Sequence, residues 1–508
     1  MSWFRVACPR LCRLRPLGLP FLAAFACLAI ASCAVGPNFE KPAAPDVTNY
    51  EPHPPATTDA ASNVAGGEAQ RFGNGNDVVG DWWTLFHSKQ LDDLIEQSLA
   101  KNHDLKSAQA ALNVAHENVL AQRGSFYPNV TAGFSASRHQ DPPGALAPVP
   151  ATNQFLYNLY TPQVSVSYMP DVFGLNRRTV ESLEAQRQQV RYQMIATYNT
   201  LTSNVVVAAI QMASLQMQIA ATREIIDSNS KLVDILHYQL KKGVVSGLEV
   251  AAQDSQLAQA KAALPPLEKQ LDQERDLLAV LCGQYPSEAP DEKFDLSSLK
   301  LPQDLPLSLP SELVAQRPDV LQAQEAMHAA SAQIGIAEAN RLPNLQLTGN
   351  AGSTALELGQ LFKSGTGFWS LGADLTAPIF DGGTLMHQER AAKAAYVQAS
   401  EQYRSVVLTA FQNVADTLAA LEHDAEGLKA AAAAADAAKV TLDLSERQWH
   451  AGTASYLSLL SAEQANQQAR ITLVLAQANR YADTAALFQA LGGGWWHRAE
   501  FTQDDNGK

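Results

Sequence analysis

From Leu175 to Lys242 the chain reads LNRRTVESLEAQRQQVRYQMIATYNTLTSNVVVAAIQMASLQMQIAATREIIDSNSKLVDILHYQLKK, sixty-eight residues without a proline or a glycine. Those two residues are the strongest helix breakers, and a run this long lacking both far exceeds the usual helix of three or four turns. The stretch predicts one continuous helix, and at about 1.5 Å per residue it would reach roughly 100 Å. From Met194 the apolar positions step by four and three, through Tyr198, Leu201, Val205, Ala208, Met212, Leu215, Ile219, Ile226, Val233, Leu236 and Leu240, with Thr222 and Asn229 as the interruptions. Such a 3.5-residue repeat predicts a narrow seam packed on another helix, as in a coiled coil. A second stretch of the kind, Thr384 to His450, has no proline and one glycine, Gly427. Helices like these are too long for a compact domain and read as too polar for a lipid span, so they bridge two places.

The rest of the 508 residues narrows the class. An apolar content of 46% is ample for a core, and a net charge of −14 without a basic stripe argues against nucleic acid as a partner. Arg5, Arg10, Arg13 and Arg15 followed by the apolar run Leu17 to Ile30 read as a secretory signal, residues 1–32. Next comes Ile30-Ala31-Ser32-Cys33, which resembles the lipobox of bacterial lipoproteins; cleavage before Cys33 frees it for acylation, palmitate included, and Ala34, where inner-membrane lipoproteins carry Asp, points to the outer membrane. Cys282 is then the one other cysteine left, and reads as a small buried hydrophobe. No two histidines stand three or four residues apart, and there is no Walker loop or G-x-S-x-G, so the expectation is no metal, no cofactor and no enzyme. Asp92-Asp93 is a carboxylate pair at a helix start, where the dipole favours it.

Residues 33–80, rich in Pro, Gly, Asn and Ala, predict an extended, largely irregular segment. Asp81-Trp82-Trp83-Thr84-Leu85-Phe86 leads into a helix ending near Gly124. Val130, Ala132, Phe134 and Ala136 then alternate with small polar residues, a strand pattern repeated at Val164, Val166 and Tyr168, with Asp141 to Pro162 read as the loop between. Ten-residue segments of this kind suit a soluble sandwich or an outer-membrane barrel. The long helix turns at Lys241-Lys242-Gly243-Val244-Val245, and a returning helix runs from Ser246 to Cys282, with Pro265-Pro266 expected to kink or break it. After the proline-punctuated linker 285–310 the events recur: Leu342-Pro343-Asn344 matches Tyr127-Pro128-Asn129, strands follow at Leu345 to Gly349 and Leu371 to Ala377, and Pro378 answers Pro170. Pro170 to Gly243 spans 73 residues and Pro378 to Gly452 spans 74, while Gly243 to Gly283 and Gly452 to Gly492 are both 40. The spacing predicts two repeats, 81–284 and 311–494, with 495–508 as a tail.

Trp82-Trp83 with Phe86, Leu94-Ile95 and Asn102, then Asp304-Leu305-Pro306, Leu309-Pro310-Ser311-Glu312-Leu313 and Arg317-Pro318-Asp319-Val320, resemble the outer-membrane efflux channels, TolC-like proteins of the lipoprotein NodT-type branch, over roughly Trp82 to Gly494 plus the lipobox. The resemblance implies a mainly α chain with a membrane β-barrel part: a homotrimer in which four strands per chain close one twelve-stranded barrel and the helices form a long periplasmic coiled-coil tunnel. It implies partners too, a periplasmic adaptor and an inner-membrane pump of the RND type, with acylated Cys33 in the outer membrane. The cargo expected is drugs or other small toxic solutes. Metal-ion efflux, type I protein secretion and a periplasmic coiled-coil scaffold are the alternatives. Independently, four strands leave open edges that lipid does not tolerate, so the chain cannot span as a monomer.

The resemblance also assigns sites. Family members dock their adaptor at the tip turns, here Gly243, Val244, Gly452 and Thr453, and close just beyond them. The hydrophobic gating position falls on Leu457, positions acidic in some relatives fall on Ser458 and Ser461, and Ala454 stands where some carry arginine. The same count in the first half gives Leu248 and Glu249, so copies of Glu249 are the candidate negative charge at the mouth.

Overall fold

The computed structural model describes residues 34–52, 56–142, 156–288, 294 and 296–502; the leader and Cys33 lie outside them. In chain order its elements are β1 (Arg71–Asn74), α1 (Lys89–Lys101), α2 (His103–Arg123), β2 (Asn129–Gln140), β3 (Leu156–Tyr168), α3 (Leu175–Lys241), α4 (Gly247–Leu281), β4 (Asp304–Leu307), α5 (Pro310–Gln316), α6 (Pro318–Ala339), β5 (Asn344–Ser353), β6 (Gly367–Thr376), α7 (Thr384–His450), α8 (Tyr456–Ala490) and α9 (Ala499–Thr502). The chain divides into two compact units, each drawing on both halves of the sequence: the segment ending at Glu40 with His116–Gln186 and Met327–Gln398, and Lys41–Ala115 with Arg187–Ala326 and the chain from Ala399 on.

The first unit holds a four-stranded antiparallel sheet in the order β2-β3-β5-β6. Directly opposed residues point to one side of a sheet, so its registers sort the side chains. Val130 faces Val166, Ala132 faces Val164, Leu347 faces both Tyr168 and Ala373, and Leu345 faces Leu375, which makes one side apolar across all four strands. Thr131 with Ser165, Ser167 with Thr348, and Gln346 with Asp374 make the other side polar. The strands are longer than their alternation suggested, and β3 takes in Pro162, which the sequence placed in a loop. Its missing N–H falls where the β3–β5 ladder is interrupted, between the Tyr160–Ala355 bridge and the Gln163–Gly352 pair. A carboxylate holds the start of each long helix: Asp171 accepts from the amides of Asn176 (2.9 Å) and Arg177 (3.0 Å), and Asp381 from those of Gly383 and Leu385 (both 2.8 Å). Arg178 reaches from α3 to the Val35 and Gly36 carbonyls and Asn38 Oδ1 at 3.0, 3.1 and 2.9 Å, so the chain is pinned within a few residues of position 33.

The core of the second unit gathers on the middle of α3. Between Leu201 and Thr222 the buried positions include Val206, Ala209, Ile210 and Ala213 as well as the expected seam, so this stretch is encased on most sides rather than along a narrow stripe. One eighteen-residue window of α3 is apolar enough for a lipid span, and 72% of it is buried inside the protein; its apolarity serves the core, which corrects the reading of the helix as too polar for such a span. Thr222 and Asn229, the breaks in the seam, are buried and partnered: Thr222 donates to the Gln218 carbonyl (2.8 Å) and Asn229 Oδ1 accepts from Gln253 (3.0 Å). Trp82 stacks on Phe488 at 5.2 Å, and Cys282 is fully buried.

Elsewhere the sequence reading needs revision. The first helix is broken at Asn102, whose Oδ1 caps α2 by accepting from Asp104 and Leu105 while its amide donates to the Leu281 carbonyl at 3.1 Å. Pro265 and Pro266 leave α4 a single helix, with Ala260 and Leu271 packed on either side of them. Arg317 of the Arg-Pro-Asp-Val phrase grips Asp319 and donates to the Ala490 carbonyl (2.8 Å), holding the end of α8. The segment 33–80 and the linker are not both irregular, because β1 of one pairs in parallel with β4 of the other. Arg480, fully buried on α8, secures the same arm by donating to the carbonyls of Gly66 (2.9 Å) and Glu68 (3.0 Å), Thr58 Oγ1 (2.7 Å) and, on α7, the Leu421 carbonyl (3.2 Å). Replacing Arg480 by methionine keeps the bulk and strands those acceptors. The expected cost is about 3 kcal/mol or more, read as a lowered urea midpoint and as early protease cleavage between residues 56 and 70.

Candidate functional site

Both long helices end in the same backbone motif. Gly243 and Gly452 take φ of +73° and +71°, the left-handed conformation that glycine adopts without penalty. Their amides donate back to Leu240 and Trp449, and those of the next residues, Val244 and Thr453, to Gln239 and Gln448, all at 2.9 to 3.0 Å. This Schellman arrangement satisfies the last carbonyls of each helix. A Cβ on either glycine would meet nothing within 4 Å, so conformation alone requires the glycine there.

The returning helices start differently. In α4 the Glu249 carboxylate accepts from the Ser246 amide (2.7 Å) and hydroxyl (3.1 Å), one side of a capping box. In α8 the matching pair is two serines: Ser455 Oγ accepts from the Ser458 amide at 3.3 Å and lies 2.9 Å from its hydroxyl. Glu249 thus does local work in the first turn of α4, while in α8 the capping acceptor is the Ser455 hydroxyl and no charge is involved. Ser461 donates to the Leu457 carbonyl at 3.0 Å.

A small core lies under both turns: Leu236 of α3, Val250 of α4 and Tyr456, Leu459 and Leu460 of α8, with Trp449 of α7 packed edge-on to Tyr456. This core joins the four helices of the two hairpins, so the turns form one assembly. Its outer surface is apolar and uncovered: Val244, Leu248 and Leu457 are 70, 79 and 67% exposed, and Gly243, Gly452, Thr453, Ser458 and Ser461 are exposed too. The tip and gate positions read from the sequence thus sit on or beside the two turns above this core, all of them exposed except the half-buried Glu249. Cys33 lies outside the described residues. Hidden from that reading was a buried polar chain inside the assembly, in which the Tyr456 hydroxyl donates to Gln253, Gln253 donates to Asn229, and Gln464 donates to Gln256 (2.7 Å). Burial raises the Tyr456 pKa, so its hydroxyl stays a donor at any physiological pH. The one signal of this chain in the sequence was Asn229, an amide at a seam position.

The chain thus pairs two 67-residue helices with two 35-residue returning helices and a sheet apolar on one side. The family model of the outer membrane efflux proteins matches residues 94–284 and 309–493. Outer membrane protein OprJ of Pseudomonas aeruginosa is 27% identical over 470 residues, 92% of this chain and 94% of its own. Among solved structures, the outer-membrane channel OprN superposes with a TM-score of 0.80 at 26% identity, covering 91% of this chain and all of that one. The open state of the Neisseria gonorrhoeae MtrE outer membrane channel gives 0.76 at 26%, over 92% and 99%. With that match over most of its length, the chain belongs to the outer membrane efflux protein family and is the outer-membrane component of an efflux system.

Proposed function

We propose that three copies close their sheets into one twelve-stranded barrel and carry drugs or other small toxic solutes outward from a periplasmic adaptor and an inner-membrane pump of the RND type. The observation that carries this reading is the sheet, four strands with one continuous apolar side and two unpaired edges, β2 and β6. In lipid such edges must pair. The two halves, read as internal repeats, supply the register. Laying Asn129 on Asn344 and its partner Ser167 on Thr376, then carrying the Ser167–Thr348 pairing across, sets Thr376 of one copy opposite Gly133 of the next. Leu375 then opposes Phe134, and Ala373 opposes Ala136, apolar to apolar. A slip of one residue would turn an apolar side inward.

A cysteine pair tests the seam. Within one chain β2 and β6 are three strand spacings apart, roughly 14 Å, too far for a disulfide. Oxidation of Ala136→Cys/Ala373→Cys should therefore link separate chains in a ladder that stops at three, while the slipped pair Gly133→Cys/Ala373→Cys should link poorly. No ladder from either pair would overturn the closure.

Acylation of Cys33 completes the reading, supported by the lipobox and by the way Arg178 holds Val35 and Gly36 where α3 leaves the sheet. Cys33→Ser should abolish fatty-acid labelling; full labelling of that variant would rule out the anchor.

The turns around Gly243, Val244, Gly452 and Thr453 are read as the adaptor surface, and Leu248, Glu249, Leu457, Ser458 and Ser461 as the closure beside it. Tryptophan at Val244 or Thr453 should lower efflux and adaptor cross-linking without loss of trimer. Leu457→Ala should raise single-channel conductance, and Glu249→Gln, which keeps a capping acceptor, should reduce cation selectivity. Wild-type recordings from both variants would move the constriction elsewhere.

A further inference from the structure

Further from the turns, the same four helices line a polar cavity of about 200 Å³ that is open to solvent on one side. Glu224 lines it from α3, Gln256 from α4, Glu446 from α7, and Glu463 and Arg470 from α8. Arg470 is the only cation among the lining residues, and it is engaged with Glu224 at 2.7 Å. Glu463 Oε2 is buried and has no hydrogen-bond partner. Glu463 follows Leu457, Ser458 and Ser461 on one continuous helix, so whatever unseats it acts directly on that surface.

We propose that Glu463 is a proton-operated latch: protonated, it packs in the cavity and holds the start of α8 against α7 and α3; ionised, it leaves the cavity and loosens α8 beside the constriction. The inference rests on the reading of Leu457 and Ser461 as part of the closure and adds its regulation.

The cavity favours the neutral acid for two reasons. A carboxylate there is partly stripped of water and its Oε2 has no hydrogen-bond partner, and it faces the Glu446 carboxylate across the cavity, while Arg470 is committed to Glu224 and the other polar side chains around it, Gln256, Asn466 and Gln467 among them, are uncharged. Tyr456, about two turns earlier on α8, donates its hydroxyl hydrogen bond to Gln253 and stays neutral. Burial first, and Glu446 second, push the Glu463 pKa up to about 7. A group whose pKa rises on packing binds its proton more tightly in the packed form. The packing is thus strongest at acidic pH and is lost as pH rises through that value. The balance then turns over in the neutral range.

Full-length lipidated protein in planar bilayers, recorded at pH 6 and pH 8, tests the latch. Wild type should open at least about threefold more often at pH 8 than at pH 6. Glu463→Gln, isosteric and neutral, should remain at the acid-side level at both, and Glu446→Gln, which removes the like charge that raises the Glu463 pKa, should shrink the step between pH 6 and pH 8. Hydrogen exchange of residues 456–470, corrected for intrinsic rates, should show the same step in wild type and none in Glu463→Gln. A pH-independent wild type in both measurements, or a step that survives in Glu463→Gln, would overturn the latch. Absence of conductance at every pH would count against the channel reading instead, and the exchange measurement would still decide the latch.

Discussion

A helix of 67 residues gains little from its own hydrogen bonds in water, where helical stability in proteins comes mainly from packing an apolar face. The burial of the middle of α3 is therefore the condition on which the architecture depends. Val205, Ile210, Met212 and Leu215 have almost no exposure, and Trp82, Phe86, Tyr481 and Phe488 belong to the same core. At roughly 25 cal/mol per Å² of apolar surface, each such side chain contributes about 2 kcal/mol, enough for a dozen of them to offset much of the ordering of the segments around them. The ends of the helix lack that support. There the structure relies on local devices instead: Asp171 at the start, and the glycine turn and small core at the end.

Much of this was legible because it follows from period and from breakers. The proline-free runs, the alternation in Val130 to Ala136 and the recurring glycines each act through a rule that holds within one segment. What was not legible acts between segments. The pairing of β1 with β4 joins Phe72 to Leu305 across more than two hundred positions, and neither four-residue stretch carries a pattern that names the other. Pro265 and Pro266 point to a kinked or broken helix by local rule, and α4 nonetheless continues through them as one helix. The two glycine turns were readable to the residue because a turn is local, whereas the gate positions beside them came from the resemblance. The polar chain behind it was not, since Gln253, Gln256 and Gln464 look like ordinary helix-surface residues until four helices come together around them.

Asn229 and Arg480 illustrate one principle at two depths. Each places a polar group where the sequence pattern asks for carbon, and each finds a partner from a different element: Gln253 of α4 for Asn229, the arm's carbonyls for Arg480. Buried polar groups tolerate only the arrangement that satisfies them, so both restrict how neighbouring segments can register. Hydrophobic contact alone would let α3 and α4 slide.

The arm also imposes an order of events. Gln70 donates to Thr484 and Arg480 holds Gly66, contacts between residues more than four hundred positions apart, so this part of the arm finds these partners only after the last long helix has been made. Until then residues 56–74 have no site in which to settle, and closing so distant a contact is slow. A stretch near the front of the chain is thus among the last to be fixed, and its docking reports that the final long helix is in place.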